Sequence, residues 1–183
     1  MTQQVLFVQG GGEGAHQADA RLAASLASEL GPGYEVRYPP MPDEASPDYR
    51  AWRQRLLEEF AALGSDAVLV GHSLGASILL KTIVDGENRP AFKGLFLVAA
   101  PYWGGEGWGE WEEVELSDGE IERLSEAVPV FLYHSRDDEE VPYAHLDLHA
   151  KAIPRARVRR LAGRNHQLDD DLSEVAADIR NLG

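Results

Sequence analysis

The sequence Gly71-His72-Ser73-Leu74-Gly75 separates an apolar run at 67–70 from a helix-like run at 76–85. A serine at the end of a buried strand reaches a substrate only if the backbone turns sharply there, and a glycine two residues to either side permits that turn. The turn also directs the backbone N–H of Leu74 and the positive end of the helix toward an anion beside Ser73. The stretch therefore predicts a nucleophilic Ser73 and places Leu74 in one half of an oxyanion hole.

The same five letters can arise by chance, because the chain contains 18 glycines. A Gly-x-Ser-x-Gly motif alone is a weak signal, and it becomes specific only when a strand precedes it and a helix follows it. The flanking runs supply both elements, which favours the catalytic interpretation.

Apolar runs and helical patterns alternate along the rest of the chain. Strands are predicted at 5–8, 34–38, 67–70, 94–100, 128–133 and 156–161. Helices are predicted at 15–30, 48–63, 76–85, 143–153 and 168–182, with a further one beginning at Ser117. This alternation is typical of a doubly wound, mainly parallel α/β sheet, whose active residues lie at the carboxyl ends of the strands.

Size and charge narrow the classes of function. The 183 residues fit a single domain, 1–183, and the absence of cysteine excludes disulfides and a cysteine nucleophile. The net charge of −14 disfavours nucleic acid and anionic membranes as partners. The first residues carry no basic cluster or long apolar run, so we expect a cytoplasmic protein.

A serine nucleophile needs a base and an acid that orients the base. His166 is the predicted base, in the turn between the last strand and the last helix. Asp138 is the predicted acid and Asp137 the second choice, because both follow the fifth strand. The order nucleophile, acid, base along the chain agrees with a serine at such a turn. The neighbouring Glu139 and Glu140 are interpreted as solvated charges.

The other histidines receive structural interpretations. His72 is expected to pack under the turn, His16 to line the mouth of the site, and His134 to support the acid loop. His145 and His149 have the i, i+4 spacing that can hold zinc, but no carboxylates complete a metal site, and a solvated helix face is preferred.

The second half of the oxyanion hole is assigned to the glycine loop at 10–14. Its glycines allow close backbone approach, and Gly11 is the first choice of donor with Gly12 next. Such a loop could instead cradle a phosphate, but it matches neither a P-loop nor a complete dinucleotide fingerprint. No cofactor and no metal are therefore expected.

The segment 101–118 carries Trp103, Trp108 and Trp111. The three indoles either wall an open pocket for an acyl or aromatic group or pack as the loop's own small core, and the sequence leaves both alternatives open. Farther along, four arginines between 155 and 160 are interpreted as charges that protect an exposed sheet edge, with an anion-binding face as the minor alternative.

Together these motifs resemble the α/β-hydrolase superfamily, particularly the small serine hydrolases of the retinoblastoma-binding protein 9 and YdeN group. The resemblance rests on 7–11, 71–75, 138–142 and 165–166, and it departs at Gln9, where many relatives have histidine. It implies about six strands in the order 2-1-3-4-5-6 and no lid domain. Its Asp-x-x-Val-Pro pattern favours Asp138 over Asp137.

The predicted function is a cofactor-free serine hydrolase that acts on a carboxylic ester or a related acyl bond. Two alternatives remain at this stage: a protein-binding module on a hydrolase scaffold, and an acyltransferase that uses the same residues.

Overall fold

The computed structural model describes residues 2–86, 91–104, 108–117, 119–120, 124 and 128–182. Within them lie six strands: β1 (Gln3–Val8), β2 (Tyr34–Arg37), β3 (Val68–His72), β4 (Gly94–Val98), β5 (Val130–Ser135) and β6 (Arg157–Leu161). The α-helices are α1 (Ala15–Leu30), α2 (Tyr49–Ala61), α3 (Leu74–Asp85), α4 (Ala144–Ala152) and α5 (Ser173–Arg180). The helix predicted from Ser117 falls largely outside the described residues.

All six strands form one parallel sheet in the order β2-β1-β3-β4-β5-β6, which confirms the predicted topology. β3 is central, and its carboxyl end is in register with its neighbours: Gly71 pairs with Val8, and His72 pairs with Val98. The loops after β1, β3, β5 and β6 therefore meet at one edge of the sheet, as expected for parallel α/β folds.

The core has two layers because helices cover both faces of the sheet. One layer contains Trp52, Leu56 and Ile78, and the other contains Leu22 and Leu26 of α1, all fully buried. β3, β4 and β5 are buried along their whole length, which explains their nearly continuous apolar sequences. β6 is an edge strand with exposed arginines, in agreement with the edge-protection interpretation.

The last predicted helix, 168–182, is wrong in its first turn. The chain forms a short 3₁₀ turn (Leu168–Asp170) with positive φ at all three residues, and α5 begins only at Ser173. The Asp171 carboxylate accepts a hydrogen bond from the Ser173 N–H at 2.8 Å, so a local polar contact replaces the helical turn.

The predicted solvated face of α4 is also wrong, because His145 and His149 are buried. The segment that follows β4 covers them: the Tyr102 N–H donates to His145 Nδ1 at 2.8 Å, and His149 Nε2 donates to the Pro101 carbonyl at 3.3 Å. Burial lowers the pKa of His149 to about 4. Contacts between distant segments are not visible in helical spacing.

The described residues contain neither a metal-binding cluster nor a membrane-spanning helix. Among the residues that the structure describes, no group of three or more His, Cys, Asp or Glu side chains is arranged to hold a metal ion. None of the described helices has both the length and the apolar character that a membrane span requires.

Candidate active site

The turn at Ser73 joins β3 directly to α3. Ser73 has φ 51° and ψ −127°, a strained conformation for a residue with a side chain, and its N–H donates to the Val98 carbonyl at 2.8 Å. Both flanking glycines are sterically required. A Cβ on Gly71 would lie 2.6 Å from the Ala76 Cα, and one on Gly75 would overlap the Gln9 carbonyl.

Asp138 and His166 form a buried pair at the same end of the sheet. Asp138 Oδ2 lies 2.8 Å from His166 Nδ1, and the two side chains are 1% and 3% exposed. His134 Nε2 lies 3.0 Å from the same Oδ2, and the N–H groups of Glu140 and Val141 both donate to Oδ1 at 2.9 Å. Burial alone would raise the pKa of Asp138, but hydrogen bonds from His134, His166 and the backbone hold it well below its ordinary value. The carboxyl is therefore ionised, and His134 supports the acid loop as predicted.

The neighbouring carboxylates have other partners. Asp137 Oδ2 accepts the Gly163 N–H at 2.5 Å, so Asp137 binds the loop that carries His166 and not its ring. Glu139 is exposed, as expected for a solvated charge, but it also has a partner, since it accepts the His166 N–H at 3.1 Å.

Ser73 and His166 are connected through His72. The ring centroids of His72 and His166 are 4.9 Å apart, and His72 Nε2 lies 3.1 Å from the His166 carbonyl. In the described part of the chain, neither Ser73 Oγ nor His166 Nε2 makes a hydrogen bond, and Glu140 Oε2 lies 3.7 Å from that nitrogen. Within the described residues, both atoms therefore have hydrogen-bonding capacity that no protein group uses.

The glycine loop after β1 lies against the turn. A Cβ on Gly11 would overlap the Leu74 side chain, so the two backbones approach closely. The Gly12 N–H donates to the Glu44 carbonyl at 2.6 Å, whereas the Gly11 N–H makes no hydrogen bond within the described residues. Gln9 fixes the loop through a 2.6 Å hydrogen bond to Glu44, while His16 Nδ1 contacts Gln9 Oε1 and does not line the pocket at Ser73.

A pocket of about 400 Å³ opens above Ser73. Its described lining residues are Gly11, Gly12, Ala45, Pro47, Ser73, Leu74, Pro101, Trp103, Trp108, Trp111, Glu140 and Val141. The three indoles also pack edge-to-face, with centroid distances of 6.1 Å from Trp103 to Trp108 and 5.2 Å from Trp103 to Trp111. The geometry therefore combines the two alternatives: the indoles contact one another and line the pocket.

Sequence reasoning missed Asp19 and Glu44. Asp19 is buried in α1, where it bonds His72, and Glu44 receives the N–H groups of Gly14 and His16. A signal for Asp19 was present, because it continues the apolar stripe of Leu22 and Leu26 at helical spacing. A carboxylate in register with buried leucines predicts a buried polar partner.

Comparisons with known proteins identify a family for the chain. A family model described as "Serine hydrolase" matches residues 24–170, a range that includes Ser73, Asp138 and His166. No curated protein matches the chain at a significant level.

Solved structures share the fold at low sequence identity. The ydeN gene product from B. subtilis is 21% identical with a TM-score of 0.77, and the match covers 99% of this chain and 98% of that one. A putative hydrolase of the alpha/beta superfamily from Xanthomonas campestris pv. campestris is 23% identical with a TM-score of 0.64, covering 99% of both chains. The 2-hydroxy-6-oxo-6-phenylhexa-2,4-dienoate hydrolase from Rhodococcus sp. strain RHA1 is 16% identical with a TM-score of 0.71, covering 98% of this chain and 89% of that one.

Proposed function

The chain belongs to the serine hydrolase family, in the retinoblastoma-binding protein 9 and YdeN group of the α/β-hydrolase superfamily, and from that premise we propose that it hydrolyses a carboxylic ester through an acyl-enzyme intermediate. The observation that carries the proposal is the 2.8 Å contact between Asp138 and His166 beside the strained turn at Ser73. The proposed roles are nucleophile for Ser73, general base for His166 and orienting acid for Asp138.

Acylation begins when His166 Nε2 takes the Ser73 hydroxyl proton as Oγ attacks the ester carbonyl carbon. The contact with ionised Asp138 keeps the other proton of the ring on Nδ1, so Nε2 is the nitrogen that can accept. The same carboxylate stabilises the imidazolium that forms. Collapse of the tetrahedral intermediate breaks the bond to the alcohol oxygen, which receives the proton from Nε2.

The negative charge of each tetrahedral intermediate needs donors already in place. We assign them to the N–H groups of Leu74 and Gly11. Gly12 is not retained in this conformation, because its N–H is bonded to Glu44. Deacylation repeats the sequence with water: His166 takes a proton from water, hydroxide adds to the acyl carbon, and Ser73 Oγ leaves with that proton.

The lining of the pocket supports an apolar or aromatic ester that is neutral or cationic. Trp103, Trp108 and Trp111 offer apolar faces. Glu140 is the charged side chain among the described lining residues, and no arginine or lysine accompanies it there. The Rhodococcus hydrolase is named for a dienoate, a carboxylate-bearing substrate. The carboxylate of Glu140 would repel such an anion, so the same substrate is not proposed here.

The test is labelling with a fluorophosphonate, followed by intact-protein and peptide mass spectrometry. We expect a single adduct on Ser73 in the wild type, none in Ser73→Ala, and strongly slowed labelling in His166→Ala. Ser28→Ala is a matched control, because Ser28 is exposed on α1 and distant from the turn. An unlabelled wild type, under conditions that fully label a control hydrolase, would overturn the proposal. If labelling succeeds, turnover of short phenyl esters then tests the ester assignment.

A further inference from the structure

A second histidine–aspartate pair lies beneath the turn, and no step of the proposed reaction uses it. His72 Nδ1 is 2.8 Å from Asp19 Oδ2, and both side chains are 1% exposed. Burying two ionisable groups is costly unless their hydrogen-bonding capacity is satisfied. The partners of this pair therefore indicate what it does.

Those partners belong to three separate parts of the site. Asp19 Oδ2 also accepts the Gly10 N–H at 2.7 Å, and Gly10 precedes the proposed oxyanion donor Gly11. His72 itself is the residue before Ser73. Its Nε2 lies 3.1 Å from the backbone carbonyl of His166. One pair of side chains thus contacts the oxyanion loop, the nucleophile turn and the base loop.

Both atoms that face the His72 ring are acceptors, and this determines its protonation. A neutral imidazole has one N–H, so it could satisfy either Asp19 or the His166 carbonyl and would point a lone pair at the other. Both contacts are satisfied only if the pair holds one further proton. Because the Gly10 N–H also points at Oδ2, the favoured arrangement is an Asp19 carboxylate with a doubly protonated His72 ring.

We propose that Asp19 and His72 are positioning residues, whose shared buried proton fixes the oxyanion loop, Ser73 and His166 relative to one another. The inference rests on the proposed function for its catalytic consequence, but the protonation of the pair is independent of turnover. The titratable ring of His166 faces His72, with 4.9 Å between the ring centroids. The charges that face His72 are Asp19 from α1 and Asp138 from the loop after β5, with the His166 carbonyl from the loop after β6. Burial opposes the charged ring, but these groups outweigh it and raise the pKa of His72.

The informative substitution is Asp19→Asn, which keeps the shape of the side chain and still offers an oxygen to Gly10 and to His72 Nδ1. Without the carboxylate charge, His72 becomes neutral near pH 7 and loses its hydrogen bond to the His166 carbonyl. We expect kcat to fall about 10- to 100-fold, as for misplaced catalytic groups, with little change in KM. The ratio of variant to wild-type kcat should rise as the pH is lowered and the ring regains its second proton. Asp147→Asn, on an exposed surface of α4, is the matched control.

Protonation is read directly by nitrogen-15 NMR of histidine-labelled protein without substrate. We expect two protonated ring nitrogens on His72 at pH 7 in the wild type and one in Asp19→Asn. A neutral His72 ring in the wild type would overturn the proposal, and so would an Asp19→Asn variant with unchanged kcat. If Asp19→Asn does not fold, His72→Gln supplies the kinetic test and the wild-type spectrum still decides protonation. Failure of the fluorophosphonate reaction, with the NMR result as expected, would instead count against the proposed function alone.

Discussion

Two histidine–aspartate pairs stand at the carboxyl end of one sheet, with equal nitrogen–oxygen distances of 2.8 Å and nearly equal burial. They differ in what faces the second ring nitrogen. Nε2 of His72 meets a backbone carbonyl, whereas Nε2 of His166 meets no hydrogen-bond partner among the described residues. The comparison teaches that a buried His–Asp contact does not by itself identify a catalytic pair. A proposed general base must also have a ring nitrogen without a hydrogen-bond partner, because only such a nitrogen can accept a proton from a nucleophile.

The largest expected effect comes from Asp138→Asn. The asparagine cannot stabilise the imidazolium and favours the wrong tautomer of His166, so kcat for a phenyl ester should fall by about 10⁴-fold. Asp137→Asn is the control, because that carboxylate binds the Gly163 N–H. A larger loss in Asp137→Asn than in Asp138→Asn would reverse the assignment of the acid.

The second prediction concerns the pH dependence of the stability that the His72–Asp19 pair contributes. The raised pKa of His72 means that its stabilisation is complete below the ordinary value of 6.5 and is lost as pH rises through the folded value. His72 and Gly10 also lower the pKa of Asp19 against the opposing effect of burial, so its stabilisation is present above 3.8 and is lost as pH falls through the folded value.

Breaking the pair should therefore matter most between those two ordinary pKa values. We expect His72→Gln to lower the free energy of unfolding by about 3 kcal/mol near pH 5.5, and by less at pH 9. Urea denaturation of wild type and variant at both pH values measures the difference. An equal loss at the two pH values would show that folding does not raise the pKa of His72.

A third prediction concerns the tryptophans that line the pocket at Ser73. Trp108→Leu removes an indole that contacts both Trp103 and His145 and lines the pocket. If the indole binds substrate, KM for a phenyl ester should rise about 10-fold while kcat changes little. A lower melting temperature with unchanged KM would show that Trp108 packs the loop and does not bind substrate. KM for the methyl ester of the same acid, which lacks the phenyl ring, is the internal control.

The smallest expected effect is on charge selectivity. A choline thioester and its neutral 3,3-dimethylbutyl isostere differ by one positive charge, and Glu140 should favour the cation. Because the Glu140 side chain is 65% exposed, solvent and salt screen it, so we expect Glu140→Gln to reduce the preference by only about two- to fivefold. The matched control is Glu113→Gln, because Glu113 lies at the surface. Glu139→Gln is less suitable, because Glu139 binds the backbone of His166. A preference that is unchanged in Glu140→Gln would remove Glu140 from substrate recognition.

Much of this architecture was predictable from local sequence. The alternation of elements predicted a parallel α/β sheet, and the resemblance implied its strand order. The close approach of Asp138 to His166 was expected from loops at one end of such a sheet. The burial of His145 and His149 was not, because it depends on a segment more than forty residues away. Asp19 was missed for a similar reason: its partner His72 lies on β3, 53 residues away along the chain, and only its place on an apolar stripe gave a sign of it.

The strained backbone of Ser73 has a thermal consequence. Positive φ is unfavourable for serine and alanine but readily adopted by glycine, so catalysis and heat resistance make opposite demands at this position. Ser73→Gly should therefore melt at a higher temperature than Ser73→Ala, although neither has a nucleophile. Relief of strain stabilises the folded glycine variant, and the greater freedom of glycine in the unfolded chain offsets part of that gain. We expect a net difference of about 1 kcal/mol in the free energy of unfolding, or roughly 2–4 °C in the melting temperature. The proposed nucleophile is thus also a place where the chain gives up heat resistance.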